Sequence, residues 1–129
     1  MLDTLIDRDG AACVWCGREP WRTDLTAEHL VPRARGGRTS PENLTVACRG
    51  CNRRRGTRPV VAHVRTLLDE GGHPRGDHLL VSLSRLADSD RPEMAAYGRR
   101  QHALLVRLLA ERAAPPPARR RGDRVETGP

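Results

Sequence analysis

The chain has 129 residues and a formal net charge of +7, with 23 basic residues that are all arginine; Lys and Phe are absent. One domain of this length buries a modest fraction of its surface, and with only Trp15, Trp21 and Tyr97 as aromatic bulk its apolar core alone is marginal, so a metal tie is expected. No leader with a cleavage site and no apolar run of about 18 residues is present, which excludes the membrane-spanning classes and gives a cytoplasmic expectation.

Leu2, Leu5 and Ile6 predict a short helical turn at the start. Cys13-Val14-Trp15-Cys16 is a first Cys-x-x-Cys knuckle, and Gly17 after it supplies the positive φ that such a turn needs. Leu25 to Val31 reads as a strand, ended by Pro32, whose missing N–H cannot continue a ladder. Arg33 to Thr39 is a basic loop centred on Gly36-Gly37, Ser40-Pro41-Glu42 a turn, and Leu44 to Ala47 the returning strand. That strand runs into a second knuckle, Cys48-Arg49-Gly50-Cys51, after which Asn52 is expected to cap or open a short helix carrying Arg53, Arg54 and Arg55.

Val60, Val61, Val64, Leu67 and Leu68 repeat at helical spacing as far as Gly71-Gly72. Leu79, Leu80, Leu83 and Leu86 predict a further helix, although Leu79, Val81 and Leu83 also alternate as in a strand. Asp90 and Glu93 form the pattern of a capping box ahead of a longer helix through Tyr97, Leu104, Leu105 and Leu108. The expected organisation is a metal-centred module over 1–68, a helical extension over 69–114 packed on it, and a disordered Pro/Arg-rich tail over 115–129.

Cys13, Cys16, Cys48 and Cys51 match the spacing of one tetrahedral zinc site, and four thiolates leave no open position, so the zinc is expected to be structural. Two disulfides in a secreted protein are the rival pairing, against which the missing leader counts. Among the other residues, His63, His73, His78 and His102 are expected at the surface, and Trp15 and Trp21 over the knuckle as core, with base stacking as the alternative for the two indoles.

The run Glu28-His29-Leu30-Val31-Pro32, then Gly36-Gly37, Asn43-Leu44 and Cys48-Arg49-Gly50-Cys51-Asn52, resembles the HNH endonucleases, in the variant whose last named position is Asn. The resemblance covers residues 13–56. It implies an α+β, ββα-metal (treble-clef-like) fold and a metal-dependent endonuclease that hydrolyses DNA phosphodiesters. It also implies roles: His29 as general base, Glu28 and Asn52 as ligands of a catalytic Mg²⁺ or Mn²⁺, and Asn43 as the brace of the loop that holds His29. Two departures stand out, Asn where the pattern often has His, and Arg55 where Lys is usual.

Adjacent strand residues point to opposite faces, so a bend or bulge is required if Glu28 and His29 are to share a cation. Arg33, Arg35, Arg38, Arg53, Arg54, Arg55 and Arg58 flank the motif as expected phosphate contacts, which makes DNA the expected partner. The helical extension is the expected surface for any protein partner, and no small-molecule cofactor is expected. A zinc-dependent DNA-binding or adaptor module without catalysis is the rival reading.

Overall fold

The computed structural model describes residues 1–114, so the tail expected over 115–129 lies outside the described residues. The fold is α+β. A two-stranded antiparallel hairpin, β1 (Leu25–His29) and β2 (Leu44–Cys48), is packed by five helices: α1 (Leu2–Asp9), α2 (Arg49–Arg55), α3 (Val60–Asp69), α4 (Gly76–Ala87) and α5 (Pro92–Ala113). No described helix is long and apolar enough to cross a membrane.

The register Leu25↔Cys48 through His29↔Leu44 sorts the side chains by face. Leu25, Leu44 and Val46 pack with Leu5 of α1 in a small apolar cluster. On the opposite face Ala47 joins the main cluster of Trp15, Val60, Val64, Leu79, Leu83 and Leu105. A lone hairpin is marginal because both its edges are unpaired, and here both are covered. The outward carbonyls of β2 accept from Arg8 (Leu44 O, 2.7 Å) and from the first knuckle (Val46 O to Val14 N, 2.9 Å). Those of β1 accept from Asn52 (Ala27 O, 3.4 Å) and Arg55 (His29 O, 2.5 Å).

Helix α2 begins earlier than expected. Its N-cap is Cys48, so the second knuckle is itself the first turn and Asn52 lies within the helix instead of capping it. The spacing Cys48 to Cys51 brings both sulfurs to one helical face. At 76–87 the helical period prevails over alternation: Leu79, Leu83 and Leu86 are buried while Val81 is exposed. The Asp90–Glu93 capping box does not form, because α5 is capped one residue later at Arg91 without a side-chain bond.

Helix α5 is attached to the start of α3 by hydrogen bonds as well as apolar contact. Tyr97 Oη accepts from Val60 N at 3.1 Å and Gln101 Oε1 from Val61 N at 2.9 Å. These two α5 residues, four apart on one helical face, satisfy N–H groups in the first turn of α3 that no residue of α3 can reach. Of the histidines expected at the surface, His63 is buried and His78 is half-buried. His63 is buried edge-on against Trp15, its ring nitrogens without partners among the described residues, and burial and the nearby Arg58 push its pKa down to about 4. His78 lies between α1, β2 and α4, with Nε2 at 3.3 Å from Thr45 Oγ1 and 3.4 Å from Ser82 Oγ. Trp15 is core, but Trp21 is 84% exposed and packs in neither cluster.

Helix α5 packs on α4 without room for a side chain at Gly98, where an added Cβ would lie 2.7 Å from Ala87 N and 3.0 Å from Leu83 O. Gly98→Ala should therefore lower stability by about 1–3 kcal/mol despite the gain in helix propensity, as read from urea unfolding.

Candidate functional site

The four cysteine sulfurs lie within 4.8 Å of one another, close to the edge of about 3.8 Å expected for a tetrahedron with Zn–S bonds of about 2.3 Å. All four are free thiols, so the disulfide pairing is not formed. Burial raises the Cys13 thiol to about 11, and burial together with the Cys48 thiol raises Cys51 further. Four thiolates therefore need a cation among them, and the donor set fits zinc.

His29 ends β1, half-buried, with Nε2 at 3.0 Å from Thr39 Oγ1. Burial, then the charges of Arg33 and Arg55, lower its pKa, so the ring is neutral near pH 7. The loop that carries Thr39 is folded back on the strand end by Asn43, which is fully buried. Asn43 Oδ1 accepts from Val31 N at 2.8 Å, and its Nδ2 donates to Val31 O at 3.1 Å and to Arg38 O at 2.9 Å. Gly37 is required in this fold-back: a Cβ there would lie 1.7 Å from Val31 O.

Glu28 faces the other way. Strand β1 keeps its register through His29 with no bulge, so Glu28 points into the core opposite His29. Its Oε2 accepts from Trp15 Nε1 at 2.8 Å and its Oε1 from Arg55 Nη1 at 3.2 Å. Burial raises its pKa, against the opposing pull of the Arg55 charge and the indole bond.

Asn52 lines a cleft of about 260 Å³ with Thr26, Arg49 and Arg53, and Glu28 is not on its walls. In this arrangement the Glu28 carboxylate is enclosed with both oxygens engaged, and the bend expected between Glu28 and His29 is absent.

The seven arginines divide by environment. Arg33, Arg35, Arg38 and Arg53 are exposed, with Arg35 Nε donating to Thr57 O at 2.9 Å. Arg54 pairs with Glu70 at 2.5 Å, and Arg58 is partly spent on Arg54 O at 2.8 Å. Arg55 is 1% exposed and is corrected from phosphate contact to internal brace. Its fork donates to Arg58 O (2.7 Å), Glu28 Oε1, His29 O and Leu30 O (2.7 Å), and it lies 5.4 Å from the Trp15 ring centroid.

Sequence reasoning missed Thr39, which only the fold-back brings to His29, and Arg49, whose exposed side chain lines the Asn52 cleft. The signal for Arg49 was its place inside the second knuckle. Thr39 had none.

Residues 13–67 match the family model described as HNH endonuclease. A stretch of 67 residues is 31% identical to the CRISPR-associated endonuclease Cas9 of Corynebacterium diphtheriae, covering 51% of this chain and 6% of that protein. The crystal structure of the type II-C Cas9 enzyme from Actinomyces naeslundii aligns over 81% of this chain and 10% of that chain, with 22% identity and a TM-score of 0.47. The chain thus spans a small fraction of the length of either relative.

Chelation of zinc, or Cys51→Ser, should release the metal and abolish cooperative unfolding, read by a colorimetric zinc reporter and circular dichroism. Arg55→Met should cost about 3–5 kcal/mol at pH 8, because it leaves the Glu28 carboxylate buried without its counter-charge. A carboxyl whose pKa is raised on folding loses stability as pH climbs from its unfolded value through its folded one. Loss of Arg55 raises the folded value further, so urea unfolding at pH 5 should recover part of the deficit seen at pH 8.

Proposed function

Because residues 13–67 match the HNH endonuclease family, we propose that this protein is a metal-dependent nuclease that hydrolyses DNA phosphodiesters, with His29 as the general base. The observation that carries the proposal is His29 itself. It is a neutral, half-buried imidazole at the end of β1, oriented by Thr39 and set beside the exposed Arg33. Hydrolysis needs a group that takes the proton of the attacking water as the P–O bond forms, and an imidazole held neutral near pH 7 suits that step.

Arg33, Arg35, Arg38 and Arg53 are the proposed phosphate contacts, and they are exposed. Asn43 is a positioning residue: through Val31 and Arg38 it fixes the loop that brings Thr39 to the base. Zinc, when bound by the four cysteines, supplies structure and no chemistry. The divalent-cation dependence that the resemblance implies is read in the same assay as cleavage.

The burial of Glu28 favours a second reading, a zinc-stabilised DNA-binding module without catalysis, since an acidic residue next to His29 is spent on Trp15 and Arg55. Plasmid nicking with Mg²⁺ or Mn²⁺ separates the two. Wild-type protein should nick in an EDTA-sensitive manner, and His29→Ala should lose at least about a hundredfold in rate while keeping its zinc and its DNA affinity. Wild-type protein that binds plasmid but leaves it intact with every metal supports the binding module.

A further inference from the structure

Trp21 is 84% exposed, on a chain whose other tryptophan is fully buried. An indole offers one of the largest apolar faces available to a core, and this protein is short of such faces, yet Trp21 contributes to neither apolar cluster. Its backbone is braced. Trp21 begins a 3₁₀ turn over Arg22–Asp24, closed by Asp24 N donating to Trp21 O at 2.8 Å. Arg49 Nε clamps the same turn at Thr23 O at 3.2 Å, and Arg22 is tied to Asp3 at 2.5 Å.

Two depressions flank this turn, and Arg49 lines both. One is the cleft of about 260 Å³ that holds Thr26, Asn52 and Arg53. The other, of about 370 Å³, runs over the zinc corner between Arg18, Pro20 and Asp24 on one side and Arg49 on the other. Three exposed guanidiniums, Arg18, Arg49 and Arg53, therefore line the depressions beside the turn that carries the indole, with one carboxylate, Asp24.

We propose that Trp21 is a base-stacking platform that receives an unstacked nucleobase, with the phosphates of that strand running over Arg18, Arg49 and Arg53. A flat π face beside a track of fixed positive charge is the combination that holds single-stranded nucleic acid without reading its sequence. The exposed charges lining the two depressions are three arginines against one aspartate, an imbalance that favours a polyanionic strand as the occupant. The proposal rests on the nucleic-acid reading of the preceding section and adds to it a preference for single-stranded or locally unpaired substrate.

The test uses the intact chain. Since Trp15 is buried, the solvent-accessible emission belongs to Trp21, and titration with an oligothymidylate of about twelve nucleotides should quench it saturably. By fluorescence anisotropy of a dye-labelled oligonucleotide, Trp21→Leu should weaken oligothymidylate binding about tenfold, Trp21→Phe should retain most of it, and a blunt duplex of equal length should change about twofold or less. The salt dependence of oligothymidylate binding should keep its slope in Trp21→Leu, because no charge is removed.

Unchanged oligothymidylate affinity in Trp21→Leu, or equal losses for single strand and duplex, overturns the proposal while plasmid nicking leaves the nuclease reading intact. Quenching by anionic phosphatidylglycerol vesicles without quenching by oligothymidylate overturns it in favour of a membrane surface. Wild-type protein that binds neither oligonucleotide brings down the nucleic-acid reading and this proposal together.

Discussion

One guanidinium with almost no access to water holds the module together. Arg55 carries a permanent charge into the interior, and such a charge is tolerated only where every donor finds an acceptor. It finds them on strand β1 (His29 O and Glu28) and the residue after it (Leu30 O), on the α2–α3 link (Arg58 O) and within 3.5 Å of Tyr97 Oη on α5. Three elements thus meet at one planar fork. A lysine, with a single ammonium at the end of a flexible stem, cannot serve acceptors spread in this way, which gives the Arg at this position a physical reason.

That fork has a consequence for chemistry. Glu28 is the counter-charge that makes the buried guanidinium tolerable, and Trp15 donates to its second oxygen. The carboxylate is therefore part of the frame that fixes the main chain at His29, and its neighbour on the other face is left as the accessible titratable group. Strand alternation produces this division: in a regular strand, adjacent side chains take opposite environments. The loop over 33–39 then completes the surroundings of His29, held by Asn43 and by the close approach of Gly37 to Val31.

Two clusters of modest size, with no Phe in either, are what this composition can build. The cysteine corner compensates by tying the first knuckle to the start of α2, which sets where β2 ends and where Asn52 and Arg49 stand. The same corner supports the braced turn that displays Trp21. A metal held by the four cysteines would couple this corner to the exposed basic face, since the corner joins the segments that carry Arg18, Arg49 and Arg53.

The sequence by itself determined the elements and the metal corner, because those depend on short-range pattern. Cysteine spacing, glycine and proline punctuation, and helical periodicity over 60–69 and 76–87 are all local, and they located the hairpin and four of the five helices closely. What it left open depends on partners far along the chain. Nothing near Arg55 announces that Glu28, 27 residues away, and Tyr97, 42 away, will enclose it. Nothing near His63 marks it as the edge-on neighbour of Trp15, and Thr39 meets His29 only after the loop folds back. A run of arginines reads as one surface in sequence. Tertiary packing decided which of them face solvent and which is the buried charge, because burial is set by the elements that close over a residue and not by its neighbours in the chain.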